Sequence, residues 1–213
     1  MTLHADLSRG PRISDVAPAE LALLTCLSNV NYLCSWLQYS AMPVVTNASP
    51  VIVLARVRRL QLLKELYGTV LMPPSVKVEC IDRGKEAGAE DVLEIEKGVS
   101  QGWIQLVTLN REEMQQTRSL TDEARIGMGE AEALVLAKRR NALAVLDDKE
   151  ARAIAKSWNL HYTSTIMVLY EAFVKRLISY DELVDDLAKL TRIMWISTDV
   201  VTEIIRRAKE VKK

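Results

Sequence analysis

From residue 43 onward, short apolar runs alternate with segments in which apolar side chains recur every three or four positions. The first run, residues 42–46, is rich in β-branched residues and stops at Asn47, Ser49 and Pro50, which predicts a buried strand ending in a turn. Val53, Leu54, Val57, Leu60, Leu63 and Tyr67 then share one helical face while Arg58, Gln61, Lys64 and Glu65 fall elsewhere, so one helix is expected to run as far as Gly68. Further strands are expected at 69–72, 103–109, 142–146 and 161–165. Between them lie a helix opened by Pro73 and Pro74, a charged helix over 86–101, a polar helix, an alanine-rich helix over 129–140 and a helix over 148–159. No glycine follows Gly129, and the last third reads as helix with tight connections. Such alternation predicts an α/β fold with a mainly parallel sheet covered on both faces, and in such folds chemistry sits beyond the carboxyl ends of the strands.

Residues 1–42 differ from the rest. The run 21–45 contains no charged side chain and is long enough to span a bilayer, but Asn29, Asn31, Ser35, Gln38 and Ser40 interrupt it. Each would need a partner in hydrocarbon, so the segment reads as an N-terminal extension ahead of a domain at 43–213, not as a membrane span. Met42, directly before the first strand, is an alternative start.

Composition narrows the chemistry. The 213 residues are 49% hydrophobic and 26% charged, as expected of a folding chain, and 28 basic residues balance 28 acidic ones. That neutrality excludes a broadly basic nucleic-acid coat, so a polyanionic partner must be met by local groups. Arg56, Arg58 and Arg59, residues 138–140, Arg152 with Lys156, and Arg206, Arg207, Lys209, Lys212 and Lys213 are the candidates. Three cysteines and two histidines at no metal-ligand spacing exclude a zinc site and suit a reducing compartment, hence the cytoplasm.

The strand ends carry oxygen ligands: Asn47 and Ser49 after the first, Asp147 and Asp148 after the fourth, Thr163, Ser164 and Thr165 at the fifth. Glu79, Glu130 and the Asp147/Asp148 pair can converge on this edge. Clustered carboxylates need a cation or a shared proton, and an all-oxygen set suits Mg²⁺ or Mn²⁺, which polarises a phosphoryl oxygen and generates hydroxide. Each acid also has a plainer use. Asp147 with Glu150 has the form of a capping box, Glu130 and Glu132 both suit a helix N-terminus, and a helical Glu such as Glu79 is usually solvated. Glu130 shares a face with Ala133, Leu134 and Ala137 and is preferred to Glu132 as the inward carboxylate. Arg152 lies one turn beyond Asp148 and is the basic residue expected nearest the pocket. The hydroxyls of Thr163, Ser164 and Thr165 either bind phosphate or end a strand.

In order along the chain, Val45-Thr46-Asn47-Ala48-Ser49-Pro50, Pro73-Pro74-Ser75-Val76 leading to Glu79, Gly129-Glu130-Ala131-Glu132-Ala133 and Leu146-Asp147-Asp148-Lys149-Glu150 resemble the PIN-domain family, close to its VapC-like toxin ribonucleases. The resemblance implies a three-layer α/β/α sandwich, a Mg²⁺- or Mn²⁺-dependent endoribonuclease acting on RNA, and often a homodimer inhibited by a small antitoxin protein. It matches Asn47, Glu79, Glu130 and either Asp147 or Asp148, with Asp148 preferred, to the family's acidic ligands. Asn47 departs from that pattern, because an amide oxygen can ligate a hard cation but brings no charge and cannot act as a base. Two other readings compete: a PIN-like module that has lost catalysis and binds RNA or protein, and, more distantly, a receiver-like signalling domain, which would carry its acidic pair after the first strand.

Overall fold

The computed structural model describes residues 42–211. The extension expected over 1–42 lies outside the described residues except for Met42, as does most of the uncharged run. Among the described residues no helix is long and apolar enough to cross a membrane.

Five strands, β1 (Val44–Thr46), β2 (Val70–Met72), β3 (Ile104–Leu106), β4 (Leu143–Val145) and β5 (Tyr162–Thr163), form one sheet in the order β3-β2-β1-β4-β5. Every pairing is parallel, with Val45 opposite both Leu71 and Ala144. Side chains alternate between two cores, as a strand's period of two requires. Val44, Val70, Met72, Leu143 and Val145 enter one cluster, and Val45, Leu71 and Ala144 the other. The sheet is thus covered on both faces, and the α/β/α sandwich is observed.

Ten helices make up the outer layers among the described residues: α1 (Ala48–Arg56), α2 (Gln61–Tyr67), α3 (74–86), α4 (Asp91–Ser100), α5 (Arg111–Ala124), α6 (Met128–Arg140), α7 (Lys149–Ser157), α8 (Thr165–Val174), α9 (Tyr180–Ile193) and α10 (Thr198–Val211). α3 begins with Pro74 in its first turn and contains one wider π turn, Val78–Asp82. The alanines of α6 serve close packing: Ala131, Ala133, Leu134 and Ala137 are all fully buried.

Three sequence expectations change. The helix expected through Val57 and Leu60 is two helices, because Arg58 adopts φ 59° and the Arg59 and Arg58 amides return to the Leu54 and Ala55 carbonyls, a Schellman closure without glycine. The charged helix starts late, at Asp91, behind Gly88 at φ 66°. The fifth strand is two residues long, and Thr165 already belongs to α8.

The apolar stripes of α9 and α10 are internal. Leu183, Leu187, Leu190, Val200 and Ile204 are buried in the core shared with α8. Asp186, fully buried, accepts from Arg59 at 2.5 Å and Lys189 at 2.9 Å, and so pins α9 over the α1–α2 break. Glu182 joins through Arg59 at 3.0 Å and a capping box with Ser179. Hydrogen bonds from the Ser179 backbone, then from Arg59, hold the Glu182 carboxyl down at about 2. A depressed folded value stabilises above the ordinary 4.5 and is lost as pH falls toward 2. Urea midpoints should therefore drop across that interval, and Glu182→Gln should flatten that part of the profile.

Candidate functional site

β1 connects to β2 on one side of itself, whereas β4 lies on the other, so the strand order reverses between β1 and β4. The crevice beyond their carboxyl ends is where such a sheet binds ligands. Asn47 stands there, fully buried, its backbone N–H donating to the Val145 carbonyl at 3.3 Å. Although it occupies the N-cap position of α1, its side chain makes no capping bond. Instead Nδ2 donates to Glu130 Oε1 at 3.4 Å, and the buried Oδ1 has no partner.

Glu130 is in the first turn of α6, where glycines make room for it. A side-chain carbon at Gly127 would collide with Glu130 Oε2. One at Gly129 would lie 3.3 Å from Val76 and 3.8 Å from Glu79 Oε2, so α3 approaches α6 closely and the Glu79 carboxylate comes up beside Glu130. Loss of water first, then the charge of Glu130, push the Glu79 carboxyl up, while Arg83 pulls it down. The two acids line a cleft of about 500 Å³ with Pro74, Ser75, Val78, Arg83, Gly127, Met128 and Gly129.

Glu132 has a different use. It is 7% exposed and accepts both the backbone amide and the hydroxyl of Ser75 at 2.8 Å, anchoring the start of α3 to α6. It is thus more deeply buried than Glu130, yet Glu130 is the carboxylate that meets Asn47.

The aspartate pair divides its labour against expectation. Asp148, not Asp147, caps α7, accepting from the Ala151 amide at 2.7 Å. Asp147 accepts from the Thr165 amide at 2.9 Å, the Thr165 hydroxyl at 2.6 Å and the Ser49 hydroxyl at 3.2 Å, tying the ends of β1, β4 and β5 together. Burial pushes its carboxyl up, against these hydrogen bonds and the charge of Arg152. Arg152 sits where the sequence places it, with Nη1 donating to the Asp147 carbonyl at 2.6 Å. Thr163 is half-buried, its carbonyl accepting from the Leu146 amide, and Ser164 is buried with an unpartnered hydroxyl.

Several basic candidates are occupied elsewhere. Arg56 pairs with Asp91, Arg59 with Asp186 and Glu182, Arg139 with Glu112, and Arg206 and Arg207 with Glu203, while Lys138 covers the Trp158 ring. Arg83 is absent from the candidates read from the sequence, although its place four residues beyond Glu79 is a signal for it, and Thr165, expected only as part of a hydroxyl run, is the residue that holds Asp147.

Among the described residues, no three His, Cys, Asp or Glu side chains gather tightly enough to form a ready metal cluster. Asn47, Glu130 and Glu79 adjoin one another, Asp147 accepts three hydrogen bonds from Thr165 and Ser49, and Asp148 caps α7 with one oxygen. The first group still fits a hard cation: the buried amide oxygen lacks a partner, the adjacent carboxylates repel, and Mg²⁺ is commonly held by one or two carboxylates while it keeps several waters.

No individual curated protein matches the chain. Comparison with known families matches residues 43–210, nearly all of the described sheet and helices, to the PIN domain. The all-parallel sheet, the polar residues at its switch point and this match together identify the chain as a member of the PIN-domain family.

Proposed function

We propose that the protein is a divalent-metal-dependent endoribonuclease that hydrolyses RNA phosphodiester bonds, of the VapC-like toxin branch, cytoplasmic, dimeric and restrained by a small antitoxin. The nuclease class follows from the family, and one observation carries the metal reading. The buried, unpartnered Oδ1 of Asn47 lies beside two mutually repelling carboxylates, Glu130 and Glu79. These three residues would hold Mg²⁺ or Mn²⁺, which when bound polarises a phosphoryl oxygen and lowers the pKa of water. The chain's own contribution is positioning. The Asn47 amide orients Glu130, Glu132 and Ser75 fix α3 against α6, and Asp147 with Thr165 and Ser49 holds the strand ends rigid. The decisive assay is cleavage of structured RNA with Mn²⁺ against EDTA: cleavage indifferent to both would end the metal reading. The antitoxin and dimer are tested by co-purification with any small protein encoded next to the chain's own gene and by light scattering.

Asn47→Asp adds the missing charge. Mn²⁺ affinity by isothermal titration should rise about tenfold, since ligand charge count tunes affinity. In EDTA the third acid should lower Tm, and Mn²⁺ should restore it by binding the folded state alone. Unchanged Mn²⁺ affinity would contradict Asn47 as a ligand.

A further inference from the structure

Among the described residues three helices, α5, α9 and α10, are each 14 residues long, and they are held to the fold differently. α9 buries Leu183, Leu187 and Leu190, and α10 buries Val200, Ile204 and Ala208. α5 buries one large apolar side chain, Leu120, and beside it Glu113 and Thr117. Its other apolar residues are Met114, which is exposed, and Ala124, which is half-buried. The Thr117 hydroxyl is buried with no hydrogen-bond partner among the described residues, so docking α5 strips water from a polar group and gives it nothing in return.

α5 is also attached on one side. It packs on α6 and on no other helix or strand to a similar extent. Across that seam Arg139 donates to Glu112 and Gln116, each at 3.2 Å, but both contacts are exposed and such pairs contribute little. A helix of this length is marginal in water by itself, so α5 depends on its ends. Asn110 and Glu113 close its first turn with reciprocal bonds of 2.8 and 2.9 Å. The last turn stops at Arg125, at φ 54°, after which Ile126 re-enters the apolar cluster that holds Leu120. Gly127 and Met128, which line the cleft beside Glu130, follow directly.

We propose that α5 is a strap that opens from α6 as one unit while the sheet and the other helices stay folded, and that its closure holds Gly127, Met128 and the first turn of α6 in place against the cleft. Elements that move are drawn from the low end of local stability, where few apolar side chains are buried. α5 meets that condition; α9 and α10 do not. Leu120 and Ile126 share one cluster, so withdrawing Leu120 loosens the anchor that stands between α5 and Gly127. The strap is independent of the nuclease reading, since neither metal nor RNA enters it.

The test is amide hydrogen exchange, followed by NMR on the full chain over a series of low urea concentrations. Protection in α5 should be at least about tenfold lower than in the middle of α6 and should depend weakly on urea, because a local opening exposes little surface. The Ala131 amide, which donates to the Gly127 carbonyl at 3.1 Å, should exchange with α5 and ahead of the rest of α6. Asn110→Ala removes the cap and should speed α5 exchange about fivefold. Thr117→Val puts a methyl where the unpaired hydroxyl was and should slow it about fivefold. Ser179→Ala removes the matching cap from α9 and should leave α5 exchange unchanged, because α9 stays folded when α5 opens. Were α5 to open only as the whole chain unfolds, Ser179→Ala would accelerate it as much as Asn110→Ala does, and that result would overturn the strap. So would α5 exchanging in step with the middle of α6, Asn110→Ala or Thr117→Val without effect on α5, or Ala131 as protected as the middle of α6.

Discussion

Glu130→Gln is expected to reduce Mn²⁺-dependent RNA cleavage at least about 100-fold while leaving the fold intact. The substitution keeps length and shape but removes the charge that faces Asn47 and raises the Glu79 carboxyl. A ligand that helps place a Lewis acid is worth several kcal/mol at the transition state, and each 1.36 kcal/mol is about a factor of ten. Stability should hold or rise slightly, because the Glu79–Glu130 repulsion disappears. Glu132→Ala, only two residues along, should give the reverse signature. It strips both acceptors from Ser75 and leaves a sheltered amide unpaired, at a cost of about 1–3 kcal/mol in urea unfolding. Cleavage assays and melting curves on the two variants separate a chemical carboxylate from a structural one. Full activity in Glu130→Gln would remove Glu130 from the site.

That contrast marks how far the sequence can be read. The alternation of apolar runs was enough for the fold class and for all five strands: β1, β2 and β4 are buried on both faces and leave short runs of apolar residues, while the partly exposed edge strands β3 and β5 follow from their places between helical segments. Helix ends were harder. Arg58, Asn141, Asn159 and Arg176 take left-handed φ values that glycine would have advertised, so the apolar stripe ran unbroken through Val57 and Leu60 where the backbone turns. At the site, Asn47, Glu79, Glu130 and Arg152 were legible because each follows a strand or lies a fixed number of residues from a motif. The roles of Asp147 and Asp148 were not. Adjacent aspartates offer the same capping chemistry, and which one caps is decided by a backbone direction that only the strand end sets. Arg83 was within reach of the same reasoning, because its place four residues beyond Glu79 puts both side chains on one face of a helix.

Asp147→Leu is expected to be the most destabilising single change at the strand edge, by about 2–4 kcal/mol. The side chain satisfies a backbone amide and two hydroxyls drawn from separate elements, Thr165 at the start of α8 and Ser49 in the first turn of α1. Leucine leaves the Thr165 amide without its acceptor in a buried position, and an unsatisfied buried donor costs about 1–3 kcal/mol. Ser49 and Thr165 lose their shared partner as well, with partial relief because a buried charge is gone. Asp147→Asn keeps one oxygen for the Thr165 amide, and the hydroxyls can rotate to accept from its NH₂, so its cost at neutral pH should be small. The pH profile distinguishes it further. Because burial raises the Asp147 carboxyl above the ordinary aspartate value of 3.8, the unfolded chain loses this proton before the folded one does. Its contribution to stability is present below 3.8 and declines as pH rises through the raised folded value. Urea unfolding from pH 3 to pH 8 should show that decline in the native chain and not in Asp147→Asn. An identical profile in both would mean that the carboxylate is ionised in the fold as readily as in water, and that its three hydrogen bonds, not its burial, set its charge.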